Sequence, residues 1–505
     1  MSDIKKNILA NLLGRGWSSL IFIVFTPIYL KLLGIEAYGL IGFFSTLQSV
    51  LFLLDLGLNA TLTRELARSG TSPEEKRRAR DMLRTLEIVY WVLAALMMIL
   101  LLIGAPLIAD HWLNPHGFTH HELSKILVLM GIALAVQFPN NLYIGGLFGL
   151  QRQVLCNAVA SIFVTIRFGG AALLLWLYSP SLEAFFIWHA VLAFVQSLLT
   201  GAILWRSFAK PAVKASFSFA LLREVMSFAA GMAGIGILNT LFSQADKLIL
   251  SKLVSLEYFG YYMLAATVAT GLYQFMNPIY NAIFPRLSQY IRTNDGHGIR
   301  ALYHGGCQVV SIIIVPIVAV VSLFSSDILL VWTGSPIMAG EVHLLLSVMV
   351  VSILLNSMMS IPLALQLAYG WTTLALRLRL GALLLLGPAL YVLTSMYGVI
   401  GAAIALVLIE SLYLVVGIIV MHRRLLTGDL YRWTLQDVLL PSCVAISVAL
   451  LGRFLIKMDI TSVADKFMMV GLMAVVTAIA MLAAGLQAPY IRSWVIGKIR
   501  SFGAA

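Results

Sequence analysis

The stretch Asn239–Gly260, NTLFSQADKLILSKLVSLEYFG, decides how the chain is read: a long apolar segment carries Asp246 and Lys247 and then breaks at Glu257 and Gly260. Part of it occurs twice. Lys252-Leu253-Val254-Ser255-Leu256-Glu257-Tyr258-Phe259-Gly260 matches Lys31-Leu32-Leu33-Gly34-Ile35-Glu36-Ala37-Tyr38-Gly39, with Lys, Leu, Glu and Gly identical at a separation of 221 residues. A separation that long excludes short solenoid repeats and points to two homologous halves, a pattern common among transporters.

Composition bounds the class. Of the 505 residues, 60% are hydrophobic and 11% charged, against about half and about a quarter in soluble globular proteins. The lipid bilayer is the solvent these proportions imply. Cys156, Cys307 and Cys443 lie in apolar runs without metal-ligand spacing and are expected to be core filler, with no disulfide framework and no zinc site. The amino end, MSDIKKNILANLLGRGW, carries two lysines before an apolar run but no small-residue cleavage site, so it is expected to be an uncleaved first span.

Apolar windows of about 20 residues, the length that crosses a hydrocarbon core, recur fourteen times, near 9–32, 37–60, 84–106, 125–150, 155–178, 183–205, 225–250, 257–285, 303–327, 339–368, 377–397, 399–421, 438–456 and 466–485. With the amino terminus in the cytoplasm, 25 of the 34 lysines and arginines fall in inner connections, among them Arg377 and Arg379, and six in outer ones. Three lie within spans: Arg15, Arg167 and Lys247. The positive-inside rule then places both termini in the cytoplasm. The net charge of +12 follows from that topology and from anionic lipid, without nucleic acid.

No connection is long enough for a folded domain outside the membrane. The longest outer one, Leu107–Ser124, holds His111, His116, His120 and His121, read as a polar loop at the interface rather than a metal site. The inner segment Thr61–Arg84, with TSPEEKRRAR, is read as a topology anchor.

Polar stripes mark the spans. Ser45, Gln48, Asp55 and Asn59 are spaced to share one helical face, and Thr267, Thr270, Gln274, Asn277 and Asn281 do the same in the eighth span, four of the five matching at a shift of 222 residues. In the seventh span Asn239, Ser243 and Asp246 form one stripe and Thr240, Gln244 and Lys247 its neighbour. Such faces turn away from lipid, either into interhelical hydrogen bonds or toward a hydrated cavity between the halves. As a matched set they favour the cavity.

Arg167 and Glu410 sit about halfway along their spans, where an unpaired charge costs at least ~2.5 kcal/mol. Arg15 and Asp55 lie nearer the inner ends and pair with each other in one reading; Lys247 snorkels outward in another. Asp246 and Lys247, being adjacent, point about 100° apart and are not expected to face each other. Pro27, Pro139, Pro278, Pro285, Pro316, Pro362 and Pro388 interrupt spans, as in helices that bend.

A phosphate-cradling G-x-x-x-x-G-K-[ST] is absent, as are H-E-x-x-H, a nucleophile elbow and kinase motifs. Direct ATP drive and catalysis are therefore not expected.

The segments Pro27-Ile28-Tyr29-Leu30-Lys31-Leu32-Leu33-Gly34-Ile35-Glu36-Ala37-Tyr38-Gly39-Leu40, Asp55-Leu56-Gly57-Leu58, Gln244-Ala245-Asp246-Lys247-Leu248-Ile249-Leu250-Ser251 and Phe259-Gly260-Tyr261-Tyr262 resemble the polysaccharide transporter branch of the multidrug, oligosaccharidyl-lipid and polysaccharide exporter superfamily, whose best-known members are O-antigen and related bacterial flippases. The resemblance covers nearly the whole chain. It implies an all-α polytopic membrane protein of fourteen transmembrane helices, in two pseudo-symmetric six-helix lobes plus two C-terminal helices. The expected division is an N-lobe at 1–205, a cytoplasmic linker at 206–224, a C-lobe at 225–421, a second cytoplasmic linker at 422–437, the extra pair at 438–485 and a cytoplasmic tail at 486–505.

By the same resemblance the cargo is an undecaprenyl-pyrophosphate-linked oligosaccharide, moved from the inner to the outer leaflet of the bacterial cytoplasmic membrane by alternating access. Arg15 and Arg167 are the candidates for the pyrophosphate, and Gln48, Asn239, Gln274, Asn277 and Asn281 for the glycan. Asp246, Glu410 and Asp55 are the candidates for coupling to H+ or Na+. No catalytic residue, metal or other cofactor is expected. The expected partners are membrane lipids, a polysaccharide polymerase and a chain-length regulator. Two alternatives stay open: a drug or cation antiporter of the same superfamily, and a membrane polysaccharide polymerase or glycosyltransferase.

Overall fold

The computed structural model describes residues 2–70, 72–208 and 214–492. Part of the expected 206–224 linker, including Lys210, and the tail from residue 493, including Lys498 and Arg500, lie outside the described residues. All regular structure among the described residues is helical, apart from an isolated bridge between Asn114 and Ser255. The chain divides into two compact units, Met1–Gly260 and Tyr261–Ala505.

The first unit contains α1 (Ser2–Leu33), α2 (Ile35–Leu51), a 3-10 turn at Phe52–Asp55, α3 (Leu58–Arg68), α4 (Pro73–His111), α5 (His120–Gly149), α6 (Gln153–Leu177), α7 (Leu182–Arg206) and α8 (Phe219–Leu253). A helix of 25 residues, such as α6, is about 37 Å long at 1.5 Å per residue, enough to span a bilayer. Two helix starts show why the connections stay short. Ser72 and Thr119 each accept from the N–H three residues on while Glu75 and Glu122 reach back, a reciprocal cap that lets α4 and α5 begin inside segments that read as loops. Only residues 112–119 remain non-helical of the expected outer connection.

The second unit continues α9 (Leu256–Gly271), whose first turn belongs to the first unit, into α10 (Tyr273–Arg292), α11 (Gly296–Leu323), α12 (Ser325–Thr333), α13 (Pro336–Met358), α14 (Ser360–Ala368) and α15 (Thr372–Arg424). After α16 (Leu430–Arg432) a π-helix at Trp433–Leu439 leads into α17 (Leu440–Leu455), and α18 (Val463–Gln487) follows. Ala319, Phe324, Ala449, Met469 and Val476 form one apolar cluster that joins α11 and the start of α12 to this last pair.

Eleven helical segments among the described residues are long and apolar enough to cross a membrane. One of them, α15, is two helices. Gly398 takes φ 60° and ψ −145°, and Gly401 packs against the Leu393 carbonyl so closely that no Cβ would fit, so the chain reverses there. The eighth window is divided at Leu272 into α9 and α10.

Cysteine placement differs from expectation at one position. Cys156 and Cys307 are buried, but Cys443 is exposed on α17, because that face of the terminal pair is left uncovered by other helices.

Candidate functional site

The second span is not one helix. Leu56 at φ 48° and Gly57 at φ 80° turn the backbone left-handed, so Gln48 lies before the break and Asp55 and Asn59 after or within it. The expected single face of Ser45, Gln48, Asp55 and Asn59 is therefore interrupted. Asp55 is spent on the break itself: its carboxylate accepts from the N–H groups of Gly57 and Asn59, both at 3.2 Å, so it caps the start of α3. Its other partners are the Tyr90 hydroxyl and, at 3.5 Å, the Asn141 amide, which in turn accepts from Asn59 at 3.1 Å. No ion pair joins Asp55 to Arg15, which is exposed on α1. In the eighth span the interruption is slight, since Leu272 keeps right-handed helical angles.

Arg167 on α6 is partly buried, and Nη2 donates to Gln196 Oε1 of α7 at 2.6 Å. Gln196 is neutral. Arg167 Nε is buried with no hydrogen-bond partner among the described residues. The Trp188 indole donates to the Arg167 carbonyl at 3.1 Å, and the adjacent His189 is packed among Phe44, Phe168, Phe185 and Phe186, its Nδ1 3.0 Å from the Phe185 carbonyl. A cation is thus held inside a spanning helix with an amide, not a carboxylate, as its recorded partner.

On α8, Asp246 and Lys247 do face each other. Lys247 Nζ lies 3.1 Å from both carboxylate oxygens of Asp246 and 3.0 Å from the Ser243 carbonyl. The 100° between neighbouring Cα–Cβ directions is overcome by the four-carbon lysine stem, which curls back along the helix. Asp246 is only 4% exposed, so this is a buried pair and not a snorkelling lysine.

In the second unit Glu410 of α15 is buried and accepts at both oxygens from Asn356 Nδ2 of α13, each at 3.0 Å. Arg379 Nη1 approaches Glu410 Oε1 at 3.3 Å, and the Arg379 guanidinium lies 4.5 Å from the ring centre of Tyr413. Arg379 therefore belongs to the interior of the unit and not to an inner connection, because α15 begins several residues before the expected span and carries it onto the buried carboxylate. A cavity of about 160 Å³ opens beside this group, lined by Asn277, Tyr273, Tyr280, Ser360, Arg379 and Tyr413 among others. Of the polar stripe in the eighth span, Asn277 is the member brought to Glu410's partners. Gln274 and Asn281 are exposed elsewhere on α10, Asn239 is exposed on α8 and Gln48 is half-buried on α2.

Two clusters have no counterpart in the sequence-based site. Glu87 of α4 is buried and holds Tyr143, Trp205 and Arg84 on its two oxygens at 2.8, 3.0 and 2.8 Å. The signal available was an Arg and a Glu at i, i+3 followed by Trp91, where the charged start of α4 turns apolar. The second joins α11 to the π-helix: buried His304 Nδ1 meets Asp437, Gln308 donates to Asp437 at 2.8 Å, and Gln308 accepts from the Tyr490 N–H at 3.0 Å. The residues are 133 positions apart, and no spacing rule connects them. No group of three or more His, Cys, Asp or Glu is placed to hold a metal among the described residues.

The sequence model of a family described as "Polysaccharide biosynthesis protein" matches residues 4–291, more than half of the chain. The chain belongs to that family. Within it, the polysaccharide transporter branch of the multidrug, oligosaccharidyl-lipid and polysaccharide exporter superfamily is the placement that fits all comparisons. A Shigella flexneri protein named "Putative O-antigen transporter" is 22% identical over 403 residues, covering 80% of this chain and 94% of its own. Among solved structures, the lipid II flippase MurJ in an inward closed conformation is similar at a TM-score of 0.67 and 13% identity, over 94% of this chain and 97% of its own. An inward-facing multidrug resistance transporter of the MATE family is similar at a TM-score of 0.65 and 14% identity, over 83% and 96%. Structural likeness at such identities establishes the fold: this family member is an all-helical, multi-pass membrane protein.

Proposed function

We propose that the protein is a flippase that carries an undecaprenyl-pyrophosphate-linked oligosaccharide, an O-antigen or related repeat unit, from the inner to the outer leaflet of the bacterial cytoplasmic membrane. It acts as a transporter and not as an enzyme. The observation that carries this is Arg167. A guanidinium on a membrane-spanning helix, paired with neutral Gln196 and with Nε buried and unengaged among the described residues, has capacity left for an anion. The name of the Shigella relative supports the same class of cargo.

The exposed amides Asn239, Gln274, Asn277 and Asn281, with Gln48, supply hydrogen-bonding groups suited to a glycan. Coupling to H+ or Na+ is assigned to Glu410, beside whose partners Asn356 and Arg379 a small cavity opens, and to Asp246 and Asp55. Fourteen spans in two six-helix lobes plus a terminal pair, with both termini cytoplasmic, complete the proposal. A polysaccharide polymerase and a chain-length regulator are its expected partners.

The test is a strain lacking the gene. Lipid-linked repeat units are expected to accumulate on the inner leaflet, to be exported again on expression of the wild-type chain, and to stay inside with Arg167→Ala although that variant inserts normally. Normal export in the deletion strain would remove the flippase assignment. Drug resistance gained on overproduction, with glycan export untouched, would favour an antiporter.

A further inference from the structure

A cavity of about 630 Å³ in the first unit takes no part in the proposed transport path. The Tyr143 hydroxyl of α5 donates to Glu87 Oε1 on α4, and its ring sits where a Cβ on Gly201 of α7 would come within 3.0 Å. Trp91 donates to the Tyr143 hydroxyl at 3.2 Å and Trp205 to Glu87 Oε1 at 3.0 Å, so two indoles flank the carboxylate.

Depth in the membrane is legible from the helices. The charges at the start of α4 end at Glu87, and the next is Asp110; on α7, Trp205 is followed by Arg206. The polar end of the cavity therefore lies where hydrocarbon gives way to headgroups, the level at which tryptophan concentrates. Its other end is lined by Val92 and Leu198, which are 61% and 51% exposed and so meet acyl chains.

The charge pattern selects the headgroup. Arg84 is half-exposed and Glu87 largely covered, 2.8 Å apart, so the cavity offers one cation and one anion and no net charge. An anionic headgroup would meet Glu87 unfavourably, and a quaternary ammonium has no proton to give it. A headgroup with a phosphate and a primary ammonium satisfies both members of the pair.

We propose that this cavity holds a zwitterionic amino-phospholipid of the surrounding bilayer, its phosphate on Arg84, its ammonium on Glu87 between Trp91 and Trp205, and one acyl chain along Val92 and Leu198. The site is a lipid-binding site on the membrane-facing side of the unit, separate from Arg167.

Native mass spectrometry of the purified full-length chain, offered equimolar phosphatidylethanolamine, phosphatidylglycerol and phosphatidylcholine with the same acyl chains, tests it. The wild type is expected to retain phosphatidylethanolamine selectively. Glu87→Gln is expected to weaken that retention about tenfold, the scale of one charge-assisted hydrogen bond, and to raise retention of phosphatidylglycerol, since Arg84 then stands without its carboxylate. Val92→Trp, which fills the groove from an exposed position and leaves the Arg84–Glu87 pair intact, is expected to abolish it, and decides the matter should Glu87→Gln fail to fold. Equal retention of all three lipids by the wild type, or undiminished selectivity in Val92→Trp, would overturn the proposal. Neither result bears on glycan export, which Arg167 tests separately.

Discussion

Gly39 and Gly260, the same position in the two copies of the repeat, face one another: a Cβ on Gly39 would lie 2.5 Å from the Leu256 carbonyl and 3.2 Å from the Gly260 backbone nitrogen. The repeat thus marks a place where α2 and the first turn of α9 touch backbone to backbone, which only glycine permits. Contacts nearby share the burden. Glu36 accepts from the N–H groups of His116 and Gly117 at 2.7 and 2.9 Å, and Asn114 donates to the Lys252 carbonyl at 2.9 Å. Gly39→Val is expected to destabilise the protein by about 1–3 kcal/mol, the range for overpacking a tight contact. Thermal unfolding in detergent measures it, and an unchanged midpoint would mean that the two backbones separate at no cost.

Gly398 makes a sharper prediction. Its φ 60°, ψ −145° lies in a region that is close to glycine-only, and the reversal of α15 depends on it. Gly398→Ala is expected to cost about 1–3 kcal/mol, although nothing within 4 Å would clash with the added methyl. Open space around the site separates backbone strain from crowding, so Gly381→Ala, which also meets nothing within 4 Å and sits at an ordinary helical position, is the control expected to be neutral or slightly stabilising.

Arg379 and Glu410 behave as a buried pair. Removing either partner breaks an ion pair inside the unit and is expected to cost about 3–5 kcal/mol, whereas replacing both by methionine is expected to recover most of that loss. A double-mutant cycle on purified protein gives the coupling directly. Additive losses would show that Asn356, not Arg379, is what holds Glu410 in place.

What the sequence made legible follows from the kind of physics involved. The repeat and most of the apolar windows are local or strictly periodic and are legible for that reason, and the gap between the windows 377–397 and 399–421 falls at the non-helical Gly398. Asp55-Leu56-Gly57 was visible as a motif, yet period alone extends a helix through it, because nothing in spacing announces that Leu56 turns left-handed. Charge counting puts Arg379 in a connection, since it sorts bases by distance from apolar runs and not by which carboxylate they meet inside the unit. Arg15, read by depth alone, is exposed and makes no ion pair among the described residues.

His304 shows the same limit and yields its own prediction. Its ring and Asp437 are both completely buried, and they tie α11 to the π-helix that starts the terminal pair. His304→Ala leaves a carboxylate in the interior with Gln308 as its remaining recorded donor. Hydrogen exchange at residues 433–455 is expected to rise more than exchange in α13, because loosening is confined to the elements that Asp437 joins. Equal increases throughout the second unit would show that the contact serves global stability only.

Gln196 separates the functional and structural roles of Arg167. Gln196→Glu places a carboxylate where Arg167 Nη2 now meets a neutral oxygen at 2.6 Å. A charge-assisted hydrogen bond is about twice as strong as a neutral one, so stability is expected to hold or to rise. If Arg167 serves the cargo's phosphates through its uncompensated charge, the same substitution neutralises it in place and export should fall sharply in a well-folded protein. Arg167→Lys complements this, since it keeps the charge but loses the planar fork and is expected to retain partial export. The two variants together discriminate what Arg167→Ala alone does not: a loss of export with unimpaired unfolding temperature in Gln196→Glu points to charge, and full export in that variant would mean that Arg167 packs the bundle and binds nothing.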